Sequence, residues 1–88
     1  MEQSVENISL IKEGNQKVFQ KVVFKYSDLL LAFSIGFVHK REVAEEIVSD
    51  AFVALWRQRD HITEINDLKA YLYILVRNAS ISYLRKTN

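Results

Sequence analysis

The sequence predicts an all-α fold: one compact bundle of three long helices with a short helix at the amino end. Three observations lead there. The 88 residues contain no proline and only two glycines, so little interrupts a helix. A composition 49% apolar and 26% charged suits one buried core and argues against a disordered chain. Apolar residues also recur at steps of three and four in successive stretches, the period of a helix with one buried face.

Ile8, Leu10 and Ile11 predict a short first helix over about Glu6–Glu13, which Gly14 can end. Asn15 then stands as the N-cap of a long helix over Gln16–Phe37, with Val18, Phe19, Val22, Val23, Tyr26, Leu30, Phe33 and Phe37 on its apolar face. The next helix, Arg41–Gln58, turns Ala44, Ile47, Val48, Ala51, Phe52, Leu55 and Trp56 inward. No Ser, Thr, Asp or Asn lies between Phe37 and Glu42 to cap its start. From Arg57 to Asn66 the period is lost, so this stretch reads as a loop anchored by Ile62 and Ile65. Asn66 or Asp67 caps the last helix, Asp67–Lys86, whose inward face is Leu68, Tyr71, Leu72, Leu75, Val76, Ala79 and Tyr83. The whole chain, residues 1–88, reads as a single helical domain without repeat, linker or low-complexity segment.

A formal net charge of +1 conceals two opposite blocks. Glu42, Glu45, Glu46 and Asp50 come without an intervening base, and with Ser49 they share the helix face opposite the apolar one. Such a face is either simply solvated, with acids favoured near a helix N-terminus, or a dock for a basic partner. After Leu68 the balance inverts to Lys69, Arg77, Arg85 and Lys86 with no acid. The macrodipole accounts for Arg85 and Lys86 but not for Arg77 beside Asn78 in mid-helix. Arg, Asn and Tyr73 along this helix, next to a loop with Arg57 and Arg59, are side chains suited to single-stranded nucleic acid. Lys17, Lys21 and Lys25 form an i, i+4 stripe that reads either as solvated or as a phosphate-tracking edge.

Much chemistry is excluded. With no cysteine and no His pair at ligand spacing, the sequence offers no metal or thiol site; two isolated glycines cannot build a phosphate loop, and no serine sits in a nucleophile elbow. His39 and His61 stand alone. No enzyme activity and no cofactor are expected. The longest apolar run, Leu29 to Val38, is broken by Ser34 and Gly36 and is half of the roughly 20 residues a membrane span needs. The amino end is acidic and polar, unlike a secretory leader. A cytoplasmic protein is the expectation.

The order of these features resembles a known family. Ala44-Glu45-Glu46-Ile47-Val48-Ser49-Asp50-Ala51-Phe52-Val53-Ala54-Leu55-Trp56 resembles the second-region helix of bacterial RNA polymerase sigma factors of the extracytoplasmic-function group. Leu68-Lys69-Ala70-Tyr71-Leu72-Tyr73-Ile74-Leu75-Val76-Arg77-Asn78-Ala79, followed by Ser82-Tyr83-Leu84-Arg85-Lys86, is similar to that group's promoter-reading helix. Leu10 to Phe19 is similar to its opening helix and turn. The likeness runs from about residue 8 to 86 and departs where Ser49 replaces a common Gln and Ser82 a frequent Asp.

The resemblance implies a transcription initiation domain that binds the RNA polymerase core and recognises and melts the promoter minus-ten element. By residue match, Glu45, Glu46, Ser49 and Asp50 would meet the clamp coiled coil of the β′ subunit, with Phe52 and Trp56 in the core. Arg77, Asn78 and Tyr73 would face promoter DNA on the non-template strand, with Arg85 and Lys86 near its phosphates. The stretch from Arg57 to Asn66, with Arg59, would form the loop that captures a flipped base. An anti-sigma factor is a further partner the family admits. The family's second domain, a helix-turn-helix, is expected to lie outside these 88 residues. The competing reading is a helical protein–protein module without a nucleic-acid role.

Overall fold

In the computed structural model, residues 8–62 and 65–87 are described, so the expected helix start at Glu6 lies outside the described residues, as do the side chains of 65–67. The elements are α1 (Ile8–Lys12), α2 (Gln16–Val38), α3 (Arg41–Arg57), a 3-10 turn (Arg59–His61) and α4 (Ile65–Thr87). The described residues contain no strand, and the fold is all-α.

Local chemistry sets the element ends. Gly14 adopts φ +90, and the Gly14 and Asn15 amides donate back to the carbonyls of Ile11 and Leu10, both at 2.9 Å. That pair of bonds closes α1 in the left-handed turn that glycine enters without strain. Asn15 then caps α2: its Oδ1 accepts from the Val18 amide at 3.0 Å. At the other end of α2, His39 takes φ 58 and donates its amide to Ile35 at 2.9 Å, a C-cap that the sequence pattern did not reveal. Lys40 begins α3 without a side-chain cap bond, as its composition predicts.

Two connecting residues turn α3 back along α2, and the Phe19 ring packs against Trp56 at 4.8 Å and Phe52 at 6.5 Å. Helix α4 runs parallel to α2, tied by the Ser34 and Ser80 hydroxyls at 2.8 Å and by the Phe33 and Tyr73 rings at 5.0 Å. Between the three helices lie Val22, Leu30, Leu55, Leu68, Leu72 and Val76, all fully buried. Each such leucine contributes roughly 1.5–3 kcal/mol of transfer free energy. Ile62 is buried and anchors the connection into α4, as expected.

Two expectations need correction. Neither Asn66 nor Asp67 stands before the last helix, because α4 already begins at Ile65. Ala79 is exposed, and Ser80 takes the inward position. The reason is a strict four-residue repeat of burial at Leu68, Leu72, Val76 and Ser80. Four residues overshoot one helical turn, so the buried line drifts around α4 until it passes Ala79.

Among the described residues, no helix is long and apolar enough to cross a membrane.

Candidate functional site

Burial divides the bundle into two different outer surfaces. On α3 the inward line is Ala44, Val48, Ala51, Phe52 and Leu55, which leaves Glu42, Glu45, Glu46, Ser49 and Asp50 exposed. Glu45 Oε2 accepts from Arg41 Nε at 3.1 Å, an exposed i, i+4 pair worth only a few tenths of a kcal/mol. Among the described residues no ion pair neutralises Glu42, Glu46 or Asp50, so the stripe keeps most of its negative charge.

Beside this stripe runs an open groove of about 980 Å³ between α2 and α3. Phe19, Val23, Phe24 and Leu31 line it from α2, and Val48, Phe52, Val53 and Trp56 from α3. Glu45, Ser49, Asp28 and Arg57 stand on its rim. Phe24 is 83% exposed and Val53 46%, large apolar surfaces that water solvates poorly. The sequence pattern missed this groove because Phe24 and Val53 fall off both apolar faces; their position one step from Val23 and Phe52 was the available signal.

Helix α4 presents a contrasting surface. Arg77 and Asn78 are exposed, with Arg77 Nη1 at 3.4 Å from Asn78 Oδ1. Tyr73 lies one turn before Arg77 and is half-buried, its ring edge against Phe33, whose ring in turn meets Phe37 at 5.3 Å. Lys69, Arg85 and Lys86 are exposed, and Ile74 keeps 56% of its surface open. Tyr73 and Arg77 thus share one side of the helix, while Arg85 and Asn78 occupy the adjoining outer face, with Lys86 beyond them.

The two arginines of the connecting segment are placed apart from that group. Arg57 is the last residue of α3 and stands on the α2–α3 groove. Arg59 is folded inward: its guanidinium carbon lies 4.3 Å from the Trp56 ring centroid, and Nη1 donates to the Trp56 carbonyl at 2.8 Å. Its Nε is buried without a hydrogen-bond partner, and a Cβ at Gly14 would sit 3.8 Å from Nη2. Arg59 therefore ties the 3-10 turn to the end of α3 and lies beside Gly14, rather than reaching outward beside Arg77. Residues 63 and 64 of the expected loop lie outside the described residues.

Comparison with known proteins agrees with this architecture. Residues 22–88 match the family model described as Sigma-70 region 2. Over 83 residues the chain is 23% identical to the RNA polymerase sigma-H factor of Pseudomonas aeruginosa, an alignment covering 94% of this chain and 43% of that protein. The chain thus spans less than half the length of that curated relative. No solved structure matches.

Proposed function

Because the chain belongs to the sigma-70 region 2 family, we propose that it is the promoter-recognition domain of a transcription initiation factor of the extracytoplasmic-function group. In this reading α3 docks on the β′ clamp coiled coil of RNA polymerase, and α4 holds the melted non-template strand of the minus-ten element. Catalysis belongs to the polymerase; this domain supplies contacts.

The observation that carries the reading is the separation of charge: exposed carboxylates on α3, and cations with Tyr73 and Asn78 on α4. On the α3 side, Glu45, Glu46 and Asp50 supply the acceptors for a basic helix, with Ser49 between them. The neighbouring groove gives such a helix an apolar seat, the arrangement by which amphipathic helices bind grooves. On the α4 side, Arg77, Arg85 and Lys86 attract phosphates, the Tyr73 ring can stack on an unpaired base, and the Asn78 amide can read a base edge. Extruding a base costs a few kcal/mol, which these contacts and the segment after Arg57 have to offset. Fixing the 3-10 turn through Arg59 reduces the ordering that Arg59–His61 would otherwise need on binding.

The test is reversal of charge on α3. Glu46→Lys with Asp50→Lys is expected to abolish co-purification with the β′ coiled coil while circular dichroism keeps its helical signal. Undiminished capture by the double variant would remove the docking assignment.

A second reading, a helical protein–protein module with no nucleic-acid role, is favoured by the exposed Phe24 and the groove beside it. A fluorescence titration with non-template minus-ten DNA against a scrambled strand separates the two, because the module binds neither.

A further inference from the structure

The contact between Phe33 and Tyr73 brings two flanking lines of side chains together along the α2–α4 seam. On α2 the line at four-residue steps is Lys17, Lys21, Lys25, Leu29, Phe33 and Phe37; on α4 it is Lys69, Tyr73, Arg77, Ile81 and Arg85. Neither line contains a carboxylate. We infer that this seam is a track for one nucleic-acid strand, with Lys17 and Lys21 of α2 holding phosphates further along the seam, roughly 18–24 Å before the level at which Phe33 meets the base-reading residue Tyr73. The inference rests on the strand-binding reading above and extends it to a second helix.

Helix electrostatics gives no reason for these lysines. Lys17 lies in the first turn of α2, where the helix dipole disfavours a cation, and Lys17 and Lys21, like charges four residues apart, repel. Both are exposed, and neither has an ion pair or hydrogen bond with a described residue. Lys25, by contrast, sits 5.5 Å from the Tyr26 ring centroid. A merely solvated stripe would not continue into half-buried rings and then face a second line carrying Lys69, Arg77 and Arg85. Cations tracking a backbone beside aromatic rings are the design of single-strand binding grooves. The parallel run of α2 and α4 also places Lys17 and Lys21 at the end of the bundle where the chain leaves Ile62 for α4, so a strand engaged there would pass directly onto them.

The experiment measures binding of labelled single-stranded DNA, minus-ten and scrambled, by the 88-residue chain across a series of NaCl concentrations. Lys17→Gln with Lys21→Gln should weaken both strands by the same factor, roughly tenfold at 0.1 M salt, and should lower the slope of log K against log salt by about 1.4. Lys40→Gln, at the opposite end of the bundle, should leave affinity and slope unchanged. An unaltered slope in the double variant overturns the track. If the double variant loses affinity as expected but the wild type does not distinguish the two strands, the track stands and base reading by α4 falls. Binding of neither strand by the wild type removes both.

Discussion

Ser34 of α2 and Ser80 of α4 share a hydrogen bond of 2.8 Å with both side chains fully buried. One hydroxyl donates to the other where the two parallel helices meet in the buried core. A small, mutually paired polar contact fixes which residue of α4 lies beside which residue of α2, since sliding either helix would strand two hydroxyls in apolar surroundings.

Removing one partner should therefore hurt more than removing both. Ser34→Ala or Ser80→Ala alone is expected to destabilise the bundle by about 1–3 kcal/mol, because the remaining hydroxyl stays buried and unpaired. The double alanine variant should be closer to wild type than the sum of the singles. Urea denaturation of the four proteins in a double-mutant cycle measures the coupling, and additive losses would deny it.

Arg59 makes a different kind of tie. Truncation to alanine removes a cation–π contact with Trp56 and a hydrogen bond to its carbonyl, an expected loss of about 1–2 kcal/mol. Arg59→Lys keeps the charge over the ring but not the planar fork and should recover only part of that loss. Thermal unfolding at low and high salt reads the effect. A variant as stable as wild type would mean that the guanidinium is not holding the segment.

Caps at the two long N-termini differ in quality, and substitutions should reveal it. Asn15→Ala is expected to cost about 1 kcal/mol through loss of the bond to the Val18 amide. Lys40→Ser should act in reverse, stabilising by roughly 0.5–1 kcal/mol by adding a cap that α3 lacks and removing a cation from its positive end. Chemical denaturation midpoints at constant slope decide both.

On the DNA-facing surface, neighbours should behave unlike each other. Arg77→Ala is expected to weaken every single strand alike and lower the salt slope by about 0.7. Asn78→Ala should instead reduce the preference for minus-ten over scrambled DNA by about 1–3 kcal/mol at unchanged slope. Identical behaviour of the two variants would refute the division of labour between phosphate and base.

The helices were legible because their signals are local. Gly14 with Asn15 marks one boundary, and the four-step run from Val18 to Leu30 marks one face; both follow from backbone geometry alone. Helix α3 was legible as an uncapped start, since no capping residue precedes it. What escaped was set by tertiary contact. Ser80 outranked Ala79 as an inward residue because the buried line of α4 drifts around the helix, which brings Ser80 opposite Ser34. His39 enters the left-handed region, an uncommon conformation for a non-glycine residue, because the chain has two residues in which to reverse direction. Arg59 looked like a free cation in the sequence; its partner, Trp56, is three residues away and becomes visible only when the chain turns after α3. The acidic and basic faces were legible from spacing, whereas Phe24 needed the neighbouring helix to make it the wall of a groove.

The antiparallel course of α3 sets its carboxylates on the side of the bundle away from the α2–α4 seam. With a formal charge of only +1, the molecule resembles an electric dipole more than a point charge. A distant polyanion would draw it in weakly yet exert a torque that swings the lysine-bearing side forward and the glutamates to the rear. Orientation would be settled during approach, before any atom touches, and added electrolyte would slow capture chiefly by letting the body tumble.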